Sequence, residues 1–427
     1  MSLRACRWTG GLRGRFLGLG LLVVAAGLAQ ADGLQTGDRV AVCGDSITEQ
    51  KLYSVMIESY LLMCQPAAKL TALQFGWGGE TAQGFYSRMA NDCLPFKPSV
   101  ATTCYGMNDG RYSPPNEGTL KWYEDNQRNI VKSFKKAGVR LIVVGSPGVV
   151  DSDTFRGNPE LATMYNKTLA AERDLSKKVA AEEQVVFANV FDAMMDTMVQ
   201  AKAKYGKGYA FAGNDGVHPG PNGHLVMAYA FLKALGCDGN LGSVKVDLGA
   251  GKAEAEGGHK VLSSQGGTVE LESTRYPFCF SGDPASSNAT SGVIQFCPFN
   301  QDLNRLTLVV TGTNAAKLKV TWGGQSKEFA AADLAKGINL AAEFLNNPFS
   351  QPFAAVMGRI HAKQSVETPG VKEGLHNLLA LGRLLPDEKE SVERIRTKLV
   401  EKLADGADKM PAAVVPVKHT LKIEPAG

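Results

Sequence analysis

The chain has 427 residues, of which 44% are hydrophobic, and it contains 46 Lys and Arg against 42 Asp and Glu. Four of the basic residues (Arg4, Arg7, Arg13 and Arg15) lie at the N-terminus, where no acidic residue balances them, so the rest of the chain is electrically neutral. A neutral chain gives no electrostatic reason to expect nucleic acid or an anionic membrane as a partner, and we predict neither.

The first 31 residues are typical of a secretory signal peptide. The basic start is followed by the apolar run 16–29, and Ala29 and Ala31 supply the small residues of a cleavage site. An apolar run of this length is short for a membrane span, although a retained anchor is the alternative interpretation. We therefore expect a secreted or periplasmic protein that is not stably inserted in a membrane after cleavage.

The cysteines that follow the predicted signal peptide do not form a metal or redox motif. They are spread along the chain without a C-x-x-C pair, which leaves a zinc ribbon unsupported. Cys43 and Cys104 end apolar runs and are predicted to be buried thiols. Cys279 and Cys297 flank a turn-rich segment and could form a disulfide after export.

From residue 38 to about residue 235, short apolar runs alternate with longer helical patterns. Apolar residues on both sides of each run predict strands covered by helices on two faces, at 39–43, 70–75, 99–105, 139–145 and 185–190. The helical patterns between them lie near 52–64, 81–91, 118–136, 160–182 and 222–235. This order predicts a three-layer α/β/α fold with a flavodoxin-like parallel sheet, whose site lies beyond the carboxyl ends of the strands.

The chain changes character after about residue 240. A segment rich in Gly, Ser and Thr contains alternating runs at 306–312 and 317–323, which predict antiparallel strands of an appended β-sandwich. Helices are predicted at 351–368, 373–385 and 387–404, and a strand-like segment at 414–422 could return to the sandwich. The predicted domains are a signal peptide (1–31), an α/β domain (32–237), a β-sandwich-like module (238–345) and a helical extension with a final strand (346–427).

Ser46 follows the first predicted strand and has two possible roles. Asp and Ser after a strand are good helix caps, so Ser46 could have a purely structural role. A serine nucleophile instead needs a base within hydrogen-bond reach and a group that orients the base. Asp215 and His218 offer both, because a loop constrained by Gly216 and Pro219 can place the carboxylate on one imidazole nitrogen.

A metal site is the alternative for the same segment. Asp215 and His218 could bind a metal together with His224. His224 falls on a different element and no fourth ligand is evident, so a serine hydrolase, which needs neither metal nor organic cofactor, is the favoured prediction.

Ester hydrolysis also requires donors for the negative charge that develops on the carbonyl oxygen. The Ser46 amide can supply one donor and the glycine cluster at 76–79 another, because backbone approaches a ligand closely where no Cβ intervenes. Asn108 offers a side-chain amide. Each segment alone could be an ordinary turn, but all of them follow predicted strands in the order that a parallel sheet would bring together.

The sequence resembles the SGNH hydrolases, also called GDSL-like esterases and lipases. Four blocks over about residues 38–236 carry the resemblance: Gly44-Asp45-Ser46-Ile47, Gly78-Gly79-Glu80-Thr81, Gly106-Met107-Asn108-Asp109 and Asp215-Gly216-Val217-His218. Two positions depart from the family pattern. Ile47 replaces a leucine, and Gln74 stands where many members carry an asparagine.

The resemblance implies a role for each matching residue. Ser46 would be the nucleophile, His218 the base and Asp215 the residue that orients the base. Gly79 and Asn108 would join the Ser46 amide in the oxyanion hole. Because all of these residues are present, the resemblance implies an active carboxylic ester hydrolase.

Few features bear on the substrate. Trp77 could stack on a sugar or pack on an acyl chain, although a core role is equally plausible, and Asp45 and Met107 are further weak candidates for substrate contacts. The polar loop 145–160 could form a pocket wall, in which three charged residues could hydrogen-bond a sugar: Asp151, Asp153 and Arg156.

The favoured hypothesis is an exported deacetylase of carbohydrate esters. A lysophospholipase or thioesterase for longer acyl chains is one alternative, and a polysaccharide-binding or scaffold protein on an inactive hydrolase fold is another. The sequence does not identify the ester, the role of the C-terminal extension or the oligomeric state.

Overall fold

Five parallel strands form the sheet of the first half of the chain. The structure, a computed structural model, describes residues 33–426, so the predicted signal peptide lies outside the described residues. The strand order is β2-β1-β3-β4-β5, as in a flavodoxin-like sheet. The strands are β1 (Arg39–Gly44), β2 (Thr71–Gln74), β3 (Val100–Cys104), β4 (Leu141–Gly145) and β5 (Val186–Ala188).

Helices cover both faces of this sheet. They are α1 (Ser46–Glu49), α2 (Tyr53–Met63), α3 (Ala82–Asp92), α4 (Glu117–Lys136), α5 (Pro159–Glu182), α6 (Val190–Tyr205) and α7 (Pro221–Ala234). Val40 and Val42 of β1 belong to the core that includes α2 and α7, whereas Ala41 and Cys43 belong to the core that includes α3 and α4. The predicted three-layer α/β/α fold is therefore confirmed.

Helix α6 was not predicted from the sequence. The apolar residues at 185–190 indicated a strand, but the strand ends at Ala188 and the side chain of Asn189 caps the helix by accepting from the Asp192 amide at 3.2 Å. Continuous apolar residues conceal such a boundary because they suit both elements.

Two further sheets follow, with strand orders β13-β10-β6-β7 and β12-β11-β14-β9-β8. Their strands are β6 (Asn240–Asp247), β7 (Lys252–Glu256), β8 (His259–Gln265), β9 (Thr268–Ser273), β10 (Arg305–Thr311), β11 (Lys317–Trp322), β12 (Gln325–Ala330), β13 (Ile338–Asn339) and β14 (Val417–Pro425). The C-terminal strand β14 lies between β9 and β11 and is antiparallel to both. One expectation is corrected, because β10 pairs in parallel with β6 and lies in a different sheet from β11.

Two of the long C-terminal helices pack on the edge strand β2 of the parallel sheet. The helices of this half are α8 (Phe299–Asp302), α9 (Ala331–Lys336), α10 (Leu340–Glu343), α11 (Ser350–Pro369), α12 (His376–Leu384) and α13 (Lys389–Asp408). Helix α11 lies against α2 and the edge strand β2, where the buried Lys363 bridges Glu58 at 2.9 Å and Glu367 at 2.7 Å. Glu367 in turn accepts from the Gln74 amide of β2 at 3.0 Å.

The possible disulfide between Cys279 and Cys297 is not present. Both residues are free thiols, and the Sγ atom of Cys279 instead lies 3.4 Å from the Pro277 carbonyl. Burial raises the pKa of each thiol to about 12, which keeps both in the less reactive protonated form. Cys43 and Cys104 are buried thiols, as predicted.

None of the helices within residues 33–426 combines the length and the apolar character that crossing a bilayer requires.

Candidate active site

Ser46 is the first residue of α1, directly beyond the carboxyl end of β1. Asp45 caps this helix by accepting a hydrogen bond from the Ile47 amide at 2.9 Å. A Cβ at Gly44 would lie 2.0 Å from the Thr48 hydroxyl, so the approach of the helix to the strand requires glycine. The cap predicted for this turn is thus Asp45, and the Ser46 side chain is left to face the sheet edge.

His218 and Asp215 meet Ser46 from the loop before α7. The Ser46 Oγ atom lies 2.8 Å from Nε2 of His218, and the other ring nitrogen, Nδ1, lies 2.6 Å from Oδ2 of Asp215. Oδ1 of Asp215 accepts from the backbone amides of Val217 and His218, each at 2.9 Å. The three side chains therefore have the spacing that a nucleophile, a base and an orienting acid require.

The Asp215 carboxylate is electrostatically suited to this position. Partial burial pushes its pKa upward, but hydrogen bonds from the amide and ring of His218 and from the Val217 amide outweigh burial and hold the pKa below its ordinary value. The carboxylate consequently remains ionised to lower pH than an ordinary aspartate. Its contribution to stability is present above the unfolded-state pKa of about 4 and is lost as the pH falls through the folded-state pKa.

His224 does not join the other two residues of the proposed metal set. It is completely buried, its Nδ1 accepts from the Tyr53 amide at 3.1 Å, and its Nε2 lies 3.1 Å from Oε1 of Gln50. Gln50 also donates to the Pro219 carbonyl at 3.3 Å. The Nδ1 atom of His224 is thus bonded to the start of α2, and its Nε2 atom is linked through Gln50 to the loop that carries His218.

The buried imidazole of His224 should make the fold sensitive to acid. Burial, reinforced by His218, lowers the pKa of His224 to about 3, whereas the unfolded chain binds the same proton near pH 6.5. The unfolded state therefore binds more protons below pH 6.5, and stability falls as the pH falls from there toward 3. We expect His224→Gln to remove about 2 kcal/mol of the stability difference between pH 7 and pH 5, as measured by urea unfolding at both values.

The exposed His361 provides the matched control for this experiment. His361→Gln should leave the difference between pH 7 and pH 5 unchanged. An equal difference in wild type and His224→Gln would contradict the neutral buried imidazole.

The predicted oxyanion donors lie on three loops at the same sheet edge. The amide of Ser46 belongs to the first turn of α1, where N–H groups have no acceptor within the helix. Gly79 is exposed with a φ of +72°, in a turn closed by the Glu80 amide, which donates to the Trp77 carbonyl at 3.1 Å. Asn108 is half-buried, and its Nδ2 donates to the Glu80 carbonyl at 3.1 Å.

Asp109 joins two of these loops. Its Oδ1 accepts from the Ala82 amide at 2.9 Å and its Oδ2 accepts from the Gly106 amide at 3.0 Å. Burial raises the pKa of Asp109 to about 7. The sequence placed Asp109 in the third block without a role, and the structure assigns it to holding the Asn108 loop against the start of α3.

Tyr112 and Arg156 form a rim that sequence reasoning identified only in part. The Tyr112 hydroxyl donates to Oδ1 of Asn108 at 3.3 Å, and the Arg156 guanidinium lies 4.5 Å from the Tyr112 ring centroid. Burial and the nearby charges of Asp45 and Asp215 raise the pKa of Tyr112, while Arg156 lowers it. Tyr112 and Arg156 have positive φ angles of 52° and 49°, a strained backbone conformation for residues other than glycine.

The three weaker candidates for substrate contacts, Trp77, Asp45 and Met107, differ in their exposure to solvent. Trp77 is half-buried beside the glycine turn, but Asp45 and Met107 are buried, with 3% and 2% exposure, in a helix cap and in the core. Asp151 is also buried and ion-paired, at 2.8 Å from Lys202. Because Asp45, Met107 and Asp151 are buried, we do not include them among the substrate contacts.

Among Asp151, Asp153 and Arg156 of the polar loop, Arg156 is the exposed residue. Asp153, the remaining one, lies 3.2 Å from Lys202.

Gln74, the departure from the family pattern, uses its side-chain amide to donate to the Thr48 carbonyl at 2.9 Å. This hydrogen bond ties the end of β2 to α1.

Comparison with known proteins gives one family and several relatives. Residues 42–226 match the GDSL-like lipase/acylhydrolase family. An acetylxylan esterase from Geobacillus stearothermophilus is 23% identical over 222 residues, which cover 47% of this chain and 95% of that protein.

One solved structure extends the likeness beyond this domain. A gut microbial diltiazem-metabolizing enzyme is 22% identical with a TM-score of 0.71, covering 94% of this chain and 100% of that one. A crystal structure of the Geobacillus stearothermophilus acetylxylan esterase is 21% identical with a TM-score of 0.38, covering 48% of this chain and 97% of that one. The first of these shows a shared fold along nearly the whole chain, C-terminal sheets and helices included.

Proposed function

We propose that the chain, an esterase that carries a GDSL-like lipase/acylhydrolase domain over residues 42–226, removes acetyl groups from carbohydrate esters. The observation that carries this proposal is the continuous hydrogen-bonded arrangement of Ser46, His218 and Asp215 within that domain.

In the first half of the reaction, the Ser46 Oγ atom attacks the ester carbonyl and its proton passes to Nε2 of His218. The tetrahedral intermediate collapses when His218 returns this proton to the departing sugar hydroxyl, leaving an acetylated Ser46. Asp215 accepts from Nδ1, so that Nε2 remains the nitrogen that takes the proton.

In the second half, a water molecule replaces the alcohol. His218 takes a proton from this water as it attacks the acetyl carbonyl, and then protonates the Ser46 oxygen as acetic acid leaves. During both halves the amides of Ser46 and Gly79 and the Asn108 side chain hydrogen-bond the oxyanion, each donor being worth about 10²- to 10³-fold in rate.

Two observations favour a sugar ester. The acetylxylan esterase relative suggests the acyl group and the alcohol, and the GDSL-like family match over residues 42–226 includes all five proposed residues. The rim beside Asn108 presents an aromatic ring and a guanidinium, Tyr112 and Arg156, which suit the apolar face and the hydroxyls of a sugar ring.

Export completes the proposal. The basic start and the apolar run at residues 16–29 support secretion or delivery to the periplasm, where a polysaccharide ester would be encountered.

The test compares acyl-chain length and alcohol on purified protein. We expect kcat/KM to fall from p-nitrophenyl acetate to the butyrate and octanoate esters, and we expect acetate release from acetylated xylan. Preference for the octanoate ester would favour a lysophospholipase or thioesterase instead. Absence of turnover on every one of these esters by folded protein would contradict the proposal.

A further inference from the structure

Glu49 connects the glycine turn at residues 76–79 to the C-terminal helices. It ends α1, three residues after Ser46; its Oε2 accepts a hydrogen bond from the Gly78 amide, and its Oε1 lies 2.8 Å from Nζ of Lys372. We propose that Glu49 and Lys372 are positioning residues that hold the turn from which Gly79 offers its amide to the oxyanion. This inference rests on the proposed function, in which Gly79 is an oxyanion donor.

The turn that presents Gly79 depends on hydrogen bonds because little packs around it. Gly78 and Gly79 are both exposed, and a Cβ at Gly79 would meet no atom within 4 Å. On the Trp77 side the backbone amide donates to the Gly44 carbonyl at 3.1 Å. Glu49 holds the amide immediately before the Gly78–Gly79 peptide, whose N–H is the proposed donor.

The same C-terminal segment also holds the side chain that begins the turn. The Lys372 ammonium lies 4.9 Å from the centroid of the Trp77 ring, and the Arg88 guanidinium lies at the same distance. The His376 ring meets Trp77 edge-on at 4.9 Å, and its Nδ1 lies 2.8 Å from the buried Asp92 carboxylate. The Trp77 side chain therefore contacts Lys372 and His376 directly, and the backbone of the turn is linked to Lys372 through Glu49.

Lys372 is carried by an unusual piece of backbone. Residues Gly370–Leu375 form a π-helical turn between α11 and α12, and such turns are rare and frequently occur at functional sites. The turn is pressed onto α13, since a Cβ at Gly374 would lie 2.7 Å from Leu399 and one at Gly370 would lie 3.0 Å from Leu403. The lysine is thus held on a closely packed support.

This role differs from that of an ordinary stabilising ion pair. The side chains of Glu49 and Lys372 are each 25% exposed, and ion pairs of this exposure contribute little to global stability. An oxyanion donor, in contrast, is effective only when it is held in place before the reaction begins. Loss of the pair should therefore appear in kcat and scarcely in the unfolding midpoint.

The test measures kcat and KM for p-nitrophenyl acetate in four variants of the full chain. We expect Lys372→Met and Glu49→Gln each to lower kcat about 10-fold, with KM within about 2-fold of wild type and no shift of the thermal unfolding midpoint. The double variant should be no slower than either single one, because both remove the same link. Lys372→Arg should retain most of the activity.

A second readout separates positioning of the oxyanion from other effects. Phenylboronic acid, which forms a tetrahedral adduct with a nucleophilic serine, should bind Lys372→Met more weakly by the same factor by which kcat/KM falls. Lys398→Met, at an exposed lysine of α13, is the matched control and should change neither quantity.

Two failures can be told apart. An inactive wild type would overturn the proposed function itself. An active wild type with unchanged kcat in Lys372→Met, or with a loss that Lys372→Arg does not restore, would overturn the positioning role alone.

Discussion

Replacing Ser46 with alanine is expected to lower kcat for p-nitrophenyl acetate by at least about 10⁴-fold. The variant lacks the oxygen that forms the acyl-enzyme, and any remaining turnover would come from binding and from the oxyanion donors. The fold should be retained, because the half-buried Ser46 side chain has His218 as its hydrogen-bond partner and does not cap α1. Steady-state kinetics together with the thermal unfolding midpoint check both expectations.

Ser87→Ala is the control for this variant, since Ser87 is an exposed serine on α3. It should have wild-type kinetics. A Ser46→Ala protein that is folded and retains more than about 1% of wild-type kcat would contradict the nucleophile assignment.

Replacing Asp215 with asparagine is expected to lower kcat by about 10²- to 10⁴-fold. The asparagine NH₂ group would donate to Nδ1 of His218, so the ring proton would move to Nε2, which could then no longer accept the proton of Ser46. The loss should be smaller than for Ser46→Ala, because the Asp215 side chain is 55% exposed and water can partly replace it.

The control for this substitution is Asp333→Asn, which removes the charge from another exposed aspartate with a partner three residues along the chain. It should not change kcat. If Asp215→Asn lowered kcat no more than Asp333→Asn, the orienting role of Asp215 would be wrong.

The sequence predicted the hydrolase sheet well because each of its strands is covered on both faces. Such strands are continuous apolar runs, as at Arg39–Gly44 and Leu141–Gly145, and their boundaries agree with the prediction to within about two residues. Helix α6 was missed because the apolar residues before Asn189 concealed its cap.

The C-terminal half was predicted less completely. Alternation of apolar and polar residues identified β10 and β11 but does not encode the direction of pairing, so the parallel pair of β6 and β10 was not foreseen. The π-helical turn at Gly370–Leu375 interrupts a segment that the sequence indicated as the start of a helix at 373.

In the site, local sequence patterns located the residues that follow strands. They could not identify Glu49 and Lys372, which are 323 positions apart and meet only through packing of the C-terminal helices. Nor could they show that Asp45 is a buried cap, because the same residue type suits both a cap and a substrate contact. Tyr112 was missed because its contact with Asn108, in the same loop, depends on the left-handed backbone conformation of Arg111 and Tyr112.

Labelling with a fluorophosphonate tests the nucleophile most directly. This reagent phosphonylates an activated serine Oγ atom with loss of fluoride, and mass spectrometry of the digested protein identifies the modified residue. We predict one label per chain on the peptide that contains Ser46, with loss of esterase activity in proportion to labelling. A catalytically active protein that is labelled at another residue, or that remains active after Ser46 is fully labelled, would contradict the account.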